Sequence, residues 1–367
     1  MLELAEVFRR HGAAYRDKFG GRMLPSHRRA MRDIENCRTE RLGGQVYVCR
    51  DCDEVRYSYH SCKNRHCPKC QQEAAERWLA RQQDLRLPVP YFLLTFTLPE
   101  GLREAARRHQ RTVYGLLFRA SAAAVQKLAC DRRFVGGEIG MLGVLQTWAR
   151  DLSYHPHVHY LVAGGGLGED GRTWVPARDG FFLPVKALSI LFRAKVRDGL
   201  SRAKWFAEIP EEVWRCDWVV HCQPVGNGQA ALKYLAPYIF RVALSNGRLR
   251  RLEGGRVTFT YRDSASGAER DCTLEVEEFI RRFLQHVLPK GFVKVRYYGL
   301  FSGKKRRLLA RARGILGGAR LPARASSTGR SEAAGLGCPR CGKEMRRVER
   351  LSPRGPPPLR EGIRWTS

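Results

Sequence analysis

The sequence is poor in acid. Its 367 residues carry 36 Asp and Glu against 66 Lys and Arg, a formal net charge of +30, with basic residues in every third of the chain. That excess is larger than solubility requires and points to a polyanionic partner, bound through counterion release in a salt-sensitive and largely sequence-independent way. Long apolar runs are also missing. None approaches the roughly 18 residues of a membrane span, and the opening MLELAEVFRRHG has neither an apolar signal block nor a small-residue cleavage site, so a cytoplasmic protein is expected. There is no G-x-x-x-x-G-K-[ST] run, which excludes a built-in ATP-driven helicase of the P-loop kind, and no internal repeat. The hydrophobic content of 43% is enough for an ordinary packed core, and the length suggests about two to three domains of roughly 150 residues.

Cysteine, by contrast, is plentiful and unevenly placed. Of twelve, six (Cys37, Cys49, Cys52, Cys62, Cys67 and Cys70) crowd into one segment with His60 and His66. In a cytoplasmic chain this pattern means metal rather than disulfides. The segment has too few apolar residues to pack alone, so ligation must supply its core. Cys49-x2-Cys52 and Cys67-x2-Cys70 are two knuckles 14 residues apart, the spacing of one tetrahedral zinc. Cys37, His60, Cys62 and His66 remain as ligands for a second zinc, and spacing leaves the partition between the sites open. Closed sites of this type are structural. Cys338 and Cys341 form a single knuckle with none after it, so no zinc is expected in the tail.

Periodicity sketches the rest. Residues 1 to about 35 read as helical, as does 71–87, which Pro88 and Pro90 close. A nearly continuous apolar strand is expected over 89–99 and a long amphipathic helix over 101–129. Strands over 139–148 and 157–164, separated by a turn, form an antiparallel hairpin. After a glycine-rich loop come a helix (185–206), a strand (216–225), a helix (228–244), a small meander (about 248–276) and a further helix before Pro289. Beyond 302, SGKKRRLLARARGILGGARLPAR carries eight basic residues and no acid, and the tail is expected to be mobile.

Two constellations carry chemistry. Residues i and i+2 of a strand share a face, so His157 and His159 in HPHVHYLV can chelate one ion while Val158 and Tyr160 point the other way. Gln146, on the facing arm of the hairpin, can bring an amide oxygen as third ligand. Neutral nitrogen and oxygen donors with open positions suit Mg or Mn. In KYLAPYIFR, Tyr234 and Tyr238 lie four apart on one helical face, where a hydroxyl can attack a metal-polarised phosphodiester. Pro237 between them cannot donate to the carbonyl of Lys233, so the segment must kink or begin nearby.

The order of these parts resembles the transposases of insertion-sequence family 91, relatives of rolling-circle replication initiators. The likeness runs through CRTERLGGQVYVC, YHSCKNRHCPKCQ, TFTLPEGLR, LQTWARDLSYHPHVHYLV, KYLAPYIFRVALSNGRL and FLQHVLPKGFVKVRYYGLFS. It implies an HUH-type enzyme with its metal on His157 and His159, with Gln146 at a position the family fills with His or Gln, and with Tyr234 and Tyr238 as nucleophiles. Pro237 departs from the basic residue usual there. The expected fold is α+β: an N-terminal zinc module that contacts DNA (1–88), an HUH-endonuclease-like antiparallel sheet flanked by helices (89–301), and a basic tail (302–367). The expected reaction is tyrosine transesterification on single-stranded DNA at element ends and target, aided by host replication or helicase factors. A replication initiator or relaxase would share this chemistry, and a non-catalytic zinc-ribbon DNA-binding protein would lack it.

Overall fold

The computed structural model describes residues 2–70, 78, 86–227, 243–263, 266–317 and 336–353. Of the helices expected over 71–87 and 228–244, only Trp78, Arg86, Leu87, Ala243 and Leu244 are among them. Tyr234, Pro237 and Tyr238 thus lie outside the described residues. The fold is α+β and forms two compact units, Met1–Gln71 with Pro322–Ser367, and Gln72–Leu321. No helix among the described residues is long and apolar enough to cross a membrane.

In the first unit, α1 (Leu4–Phe19) ends at a Gly pair, and α2 (Pro25–Glu35) starts on a proline whose missing N–H is one that no helix satisfies internally. Leu4, Val7, Phe8, Met31 and Ile34 are buried in this helical pair, and Arg16 Nη1 lies 2.5 Å from Glu35 Oε1. A four-stranded sheet follows, made of β1 (Gly44–Cys49) and β2 (Val55–Tyr59) with β12 (Leu336–Gly337) and β13 (Glu344–Leu351), in the order β12-β13-β1-β2.

This sheet corrects the expectation of a mobile tail. Strand β13 pairs antiparallel with β1 from Gly44 opposite Leu351 to Cys49 opposite Met345. Its sequence, EMRRVERL, is too charged to announce a strand. The partner's exposed ladder of N–H and C=O groups supplies what local hydrophobicity does not. The start of the 302–367 stretch belongs elsewhere, since Arg306–Ile315 is helical and lies in the second unit.

The second unit is built on an antiparallel sheet in the order β11-β4-β5-β3-β7, with β6 beside β5. Its strands are β3 (Pro90–Thr97), β4 (Glu138–Trp148), β5 (Tyr154–Leu167), β6 (Trp174–Pro176), β7 (Val220–Asn227) and β11 (Val295–Gly299). Alternate residues serve two cores. Leu94, Phe96, Met141, Leu145, Val158 and Tyr160 pack with apolar residues of the helices over 110–129 and 185–200. Leu93, Leu142, Val144, Leu161 and Ala163 face the other way, toward Phe301, Leu309 and Ala312. Both faces being buried explains why these strands read as nearly continuous apolar runs.

The helix expected over 101–129 is broken into α3 (Arg103–Arg108) and α4 (Gln110–Ala129). At the break His109 leaves helical geometry (φ −121°, ψ 44°), and its ring stacks on Trp205 at 4.4 Å. Helix α5 (Val185–Leu200) is shorter than expected, and α6 (Glu212–Arg215) precedes β7. The meander is a separate sheet of β8 (Leu249–Glu253), β9 (Arg256–Arg262) and β10 (Glu269–Glu275), with α7 (Val276–Leu284) against it through Phe259 and Phe279. Helix α8 (Arg306–Ile315) closes the second core. Gly299 ends β11 at φ +56°, where a Cβ would collide with the Ile139 carbonyl oxygen, so VRYYG needs its glycine to stay paired with β4.

Candidate catalytic histidines and cysteine metal centres

The hairpin of β4 and β5 sets the histidines side by side. His157 stands opposite Gln146 on β4 and Thr97 on β3, and His159 opposite Val144 and Thr95. Directly opposite residues share a face, so Gln146, His157 and His159 gather at one end of the second face, beyond Leu161. The imidazole centroids are 4.7 Å apart. Both histidines are 8% exposed and Gln146 is 4% exposed. His221 on β7, opposite Thr95, extends the row toward the sheet edge, where it is exposed. The sequence reading passed over it because a lone His in a strand has no pattern.

Each ring is oriented by its Nδ1. That of His157 lies 2.6 Å from the His155 carbonyl oxygen, which can only accept, so Nδ1 carries the proton and Nε2 the lone pair. That of His159 lies 2.9 Å from Thr95 Oγ1. Burial lowers the pKa of His157 to about 4, and burial with the neighbouring His157 lowers that of His159 to about 2. At neutral pH both are therefore uncharged, the state a metal ligand must have. His155, next in the row, is lowered by burial and by Arg103, whose Nη2 lies 3.3 Å from its Nδ1.

The turn before this strand has a clamp that sequence reasoning missed. Leu152 holds a left-handed conformation (φ 65°), and its carbonyl accepts from Gln285 Nε2 at 3.1 Å and His286 Nε2 at 3.2 Å. A donating Nε2 leaves His286 Nδ1 to accept from the Thr147 hydroxyl at 3.2 Å. This gives FLQHVL a structural task, seating the turn that leads into HPHVH. His286 is 2% exposed, and burial lowers its pKa to about 3. The unfolded chain protonates this ring near pH 6.5, the folded one only near 3, so its contribution to stability is present above about 6.5 and is lost as pH falls. The melting temperature is expected to drop between pH 7 and 5, and His286→Gln to flatten that slope while lowering the plateau. An equal slope in the variant would contradict it.

The eight clustered cysteines form two groups. Cys37, Cys62, Cys67 and Cys70 lie together, and Cys49, Cys52, Cys338 and Cys341 lie together, with the ligand atoms of each group within 4.8 Å of one another. The expected sets, Cys49 and Cys52 with Cys67 and Cys70, and Cys37 and Cys62 with His60 and His66, are thus re-partitioned, and neither histidine joins a group. The reason is long-range. Cys37 follows α2 directly, and its Sγ is 3.5 Å from that of Cys70, whereas β13 delivers Cys338 and Cys341 to the end of β1. All twelve cysteines are unbonded to one another. Sulfur separations of 3.5–3.6 Å far exceed a disulfide and approach the roughly 3.8 Å edge of a tetrahedron with Zn–S near 2.3 Å. The clusters support structural zinc.

Two family models match the chain: "Transposase zinc-binding domain" over residues 7–98 and "Putative transposase" over residues 140–308. The second contains the histidine strand, Gln146 and the His286 clamp. Zinc-binding segment and α+β unit together define the class, a transposase, and hence a DNA-processing enzyme. The chain is 40% identical over 336 residues to "Putative transposase y4qJ" of Sinorhizobium fredii, covering 86% of this chain and 84% of that protein. To "Transposase for insertion sequence element IS801" of Pseudomonas savastanoi pv. phaseolicola it is 30% identical over 300 residues, 75% of this chain and 72% of that protein. The chain belongs to the transposases of insertion-sequence family 91. No solved structure matches it.

Proposed function

We propose that this transposase cuts and rejoins single-stranded DNA by metal-dependent tyrosine transesterification of the HUH type. The observation that supports it most is the buried pair His157 and His159, rings adjacent, each Nδ1 held by a protein oxygen, with Gln146 directly opposite. With its Nδ1–H donating to His155 O, His157 would offer Nε2 to a cation, and together with the His159 ring and the Gln146 amide oxygen it would make a neutral donor set suited to Mg or Mn. A divalent ion there supplies a Lewis acid that polarises a phosphodiester oxygen.

Tyr234 and Tyr238 are the proposed nucleophiles. One phenol oxygen bonds to phosphorus as the P–O3′ bond breaks, giving a 5′-phosphotyrosine, while the 3′ oxygen leaves as a hydroxyl. A DNA 3′ hydroxyl then attacks the phosphotyrosine, restores the phenol and joins strands. Bond energy is conserved, so no nucleotide is consumed. The second tyrosine allows one strand to be held while another is cut. The net charge of +30 favours DNA at element ends and target through phosphate contacts, and strand separation falls to host replication or helicase factors. Cys37, Cys62, Cys67 and Cys70 are the proposed ligands of a structural zinc in the DNA-contacting module.

Thr95 provides a graded test. Thr95→Val keeps the shape and removes the oxygen that orients His159, so the Mn concentration giving half-maximal cleavage should rise by about 10- to 100-fold, with the rate at saturating Mn little changed. An unaltered Mn dependence would mean that this contact does not serve a metal. Cleavage of labelled single-stranded DNA is the readout, and a chain that binds but never cuts would instead support the non-catalytic DNA-binding reading.

A further inference from the structure

We propose that Cys49, Cys52, Cys338 and Cys341 bind a second structural zinc, which makes the DNA-contacting module a ribbon closed by residues from both ends of the sequence. The matched zinc-binding family segment spans residues 7–98 and so includes only the first two of these ligands.

Three independent features carry the assignment. First, the two knuckles are built alike. The N–H of Cys49 donates to Glu54 O at 3.0 Å and that of Asp53 to Cys49 O at 3.0 Å, while the N–H of Cys338 donates to Lys343 O at 2.7 Å and that of Gly342 to Cys338 O at 2.9 Å. In both, the residue after the second cysteine is left-handed, Asp53 at φ 53° and Gly342 at φ 76°. Each turn thereby brings its two thiols to the same side, as zinc knuckles require.

Second, the thiols of one knuckle meet those of the other. Cys49 Sγ is 3.5 Å from Cys341 Sγ, and Cys52 Sγ is 3.6 Å from both Cys338 and Cys341 Sγ. Four soft donors at these spacings select zinc over the hard cations expected at the histidines.

Third, the surroundings hold the knuckles in register. Strand β13 brings Met345 opposite Cys49, and both are buried with Cys338 in a small apolar cluster. Lys343 Nζ pairs with Asp51 Oδ1 at 2.6 Å, tying one turn to the other. An apolar cluster this small is a weak core, and ligation supplies the stability it lacks.

The full-length chain should contain two zinc ions as purified. Cys338→Ser/Cys341→Ser should contain one, Cys49→Ser/Cys52→Ser one, and the quadruple variant still one, because all four residues serve the same ion. Pulsed alkylation with mass spectrometry guards against general unfolding. In the tail variant Cys49 and Cys52 should become reactive while Cys37, Cys62, Cys67 and Cys70 stay protected. Cobalt-loaded Cys341→His should keep two ions and shift the visible bands of one, as expected when a thiolate is replaced by imidazole. Two zinc ions retained by the tail variant, or none by the quadruple variant, would overturn the proposal. So would Cys49 and Cys52 remaining protected without the tail thiols.

Discussion

His157→Ala and His159→Ala should each reduce cleavage of single-stranded DNA by at least about 10³-fold while changing affinity for that DNA less than about twofold. A Lewis acid at a phosphoryl oxygen contributes several kcal/mol of transition-state stabilisation, and each 1.36 kcal/mol is a factor of ten in rate. Affinity is a different matter, because it is spread over many cationic groups of a chain with net charge +30. The imidazoles are buried and neutral, so removing one takes away a donor without altering that charge. Cleavage and filter binding, measured on the same preparations, separate the two effects. The double variant cutting at the wild-type rate would remove the histidines from the chemistry.

The tyrosine pair carries the second large effect. Tyr234→Phe and Tyr238→Phe singly should each still form a covalent adduct with DNA, at unequal rates, and the double variant should form none. Phenylalanine keeps the ring and removes the attacking oxygen alone. The inequality is expected from the sequence alone: a proline between the two tyrosines has no N–H to give a helix, so both hydroxyls are not expected to reach one phosphate equally well. A displacement beyond roughly 0.5 Å is enough to separate the rates. Equal adduct in the double variant would reduce the pair to a packing stripe.

How much of this was legible in the sequence depended on whether the signal was local. The hairpin and the shared face of His157 and His159 follow from a period of two, and β4 and β5 appear where expected, although β5 begins at Tyr154 and runs to Leu167. The cysteine groups were not legible, because the choice between Cys67/Cys70 and Cys338/Cys341 as partners for Cys49/Cys52 is made by a strand pairing nearly the whole sequence apart. Spacing favours the near knuckle, and the β1–β13 ladder overrides it. The roles of Thr95 and His286 were not legible either, because although both lie in segments that carry the resemblance, what each does rests on the atoms it faces, His159 Nδ1 for Thr95 and the Leu152 carbonyl with the Thr147 hydroxyl for His286. The break at His109 is similar, since only the distant Trp205 ring marks it. By contrast, VRYYG could be quoted as part of a resemblance before its reason was visible, and that reason is Gly299 at the Ile139 carbonyl.

The most direct test of the central claim is to trap the wild-type chain on labelled single-stranded DNA with Mg or Mn, digest the complex and locate the attached nucleotide by mass spectrometry. The account predicts a nucleotide phosphate on the peptide containing Tyr234 and Tyr238, dependent on the divalent ion and absent from the His157→Ala chain. A nucleotide attached to any other residue, or cleavage by the wild-type chain with no covalent adduct, would contradict it.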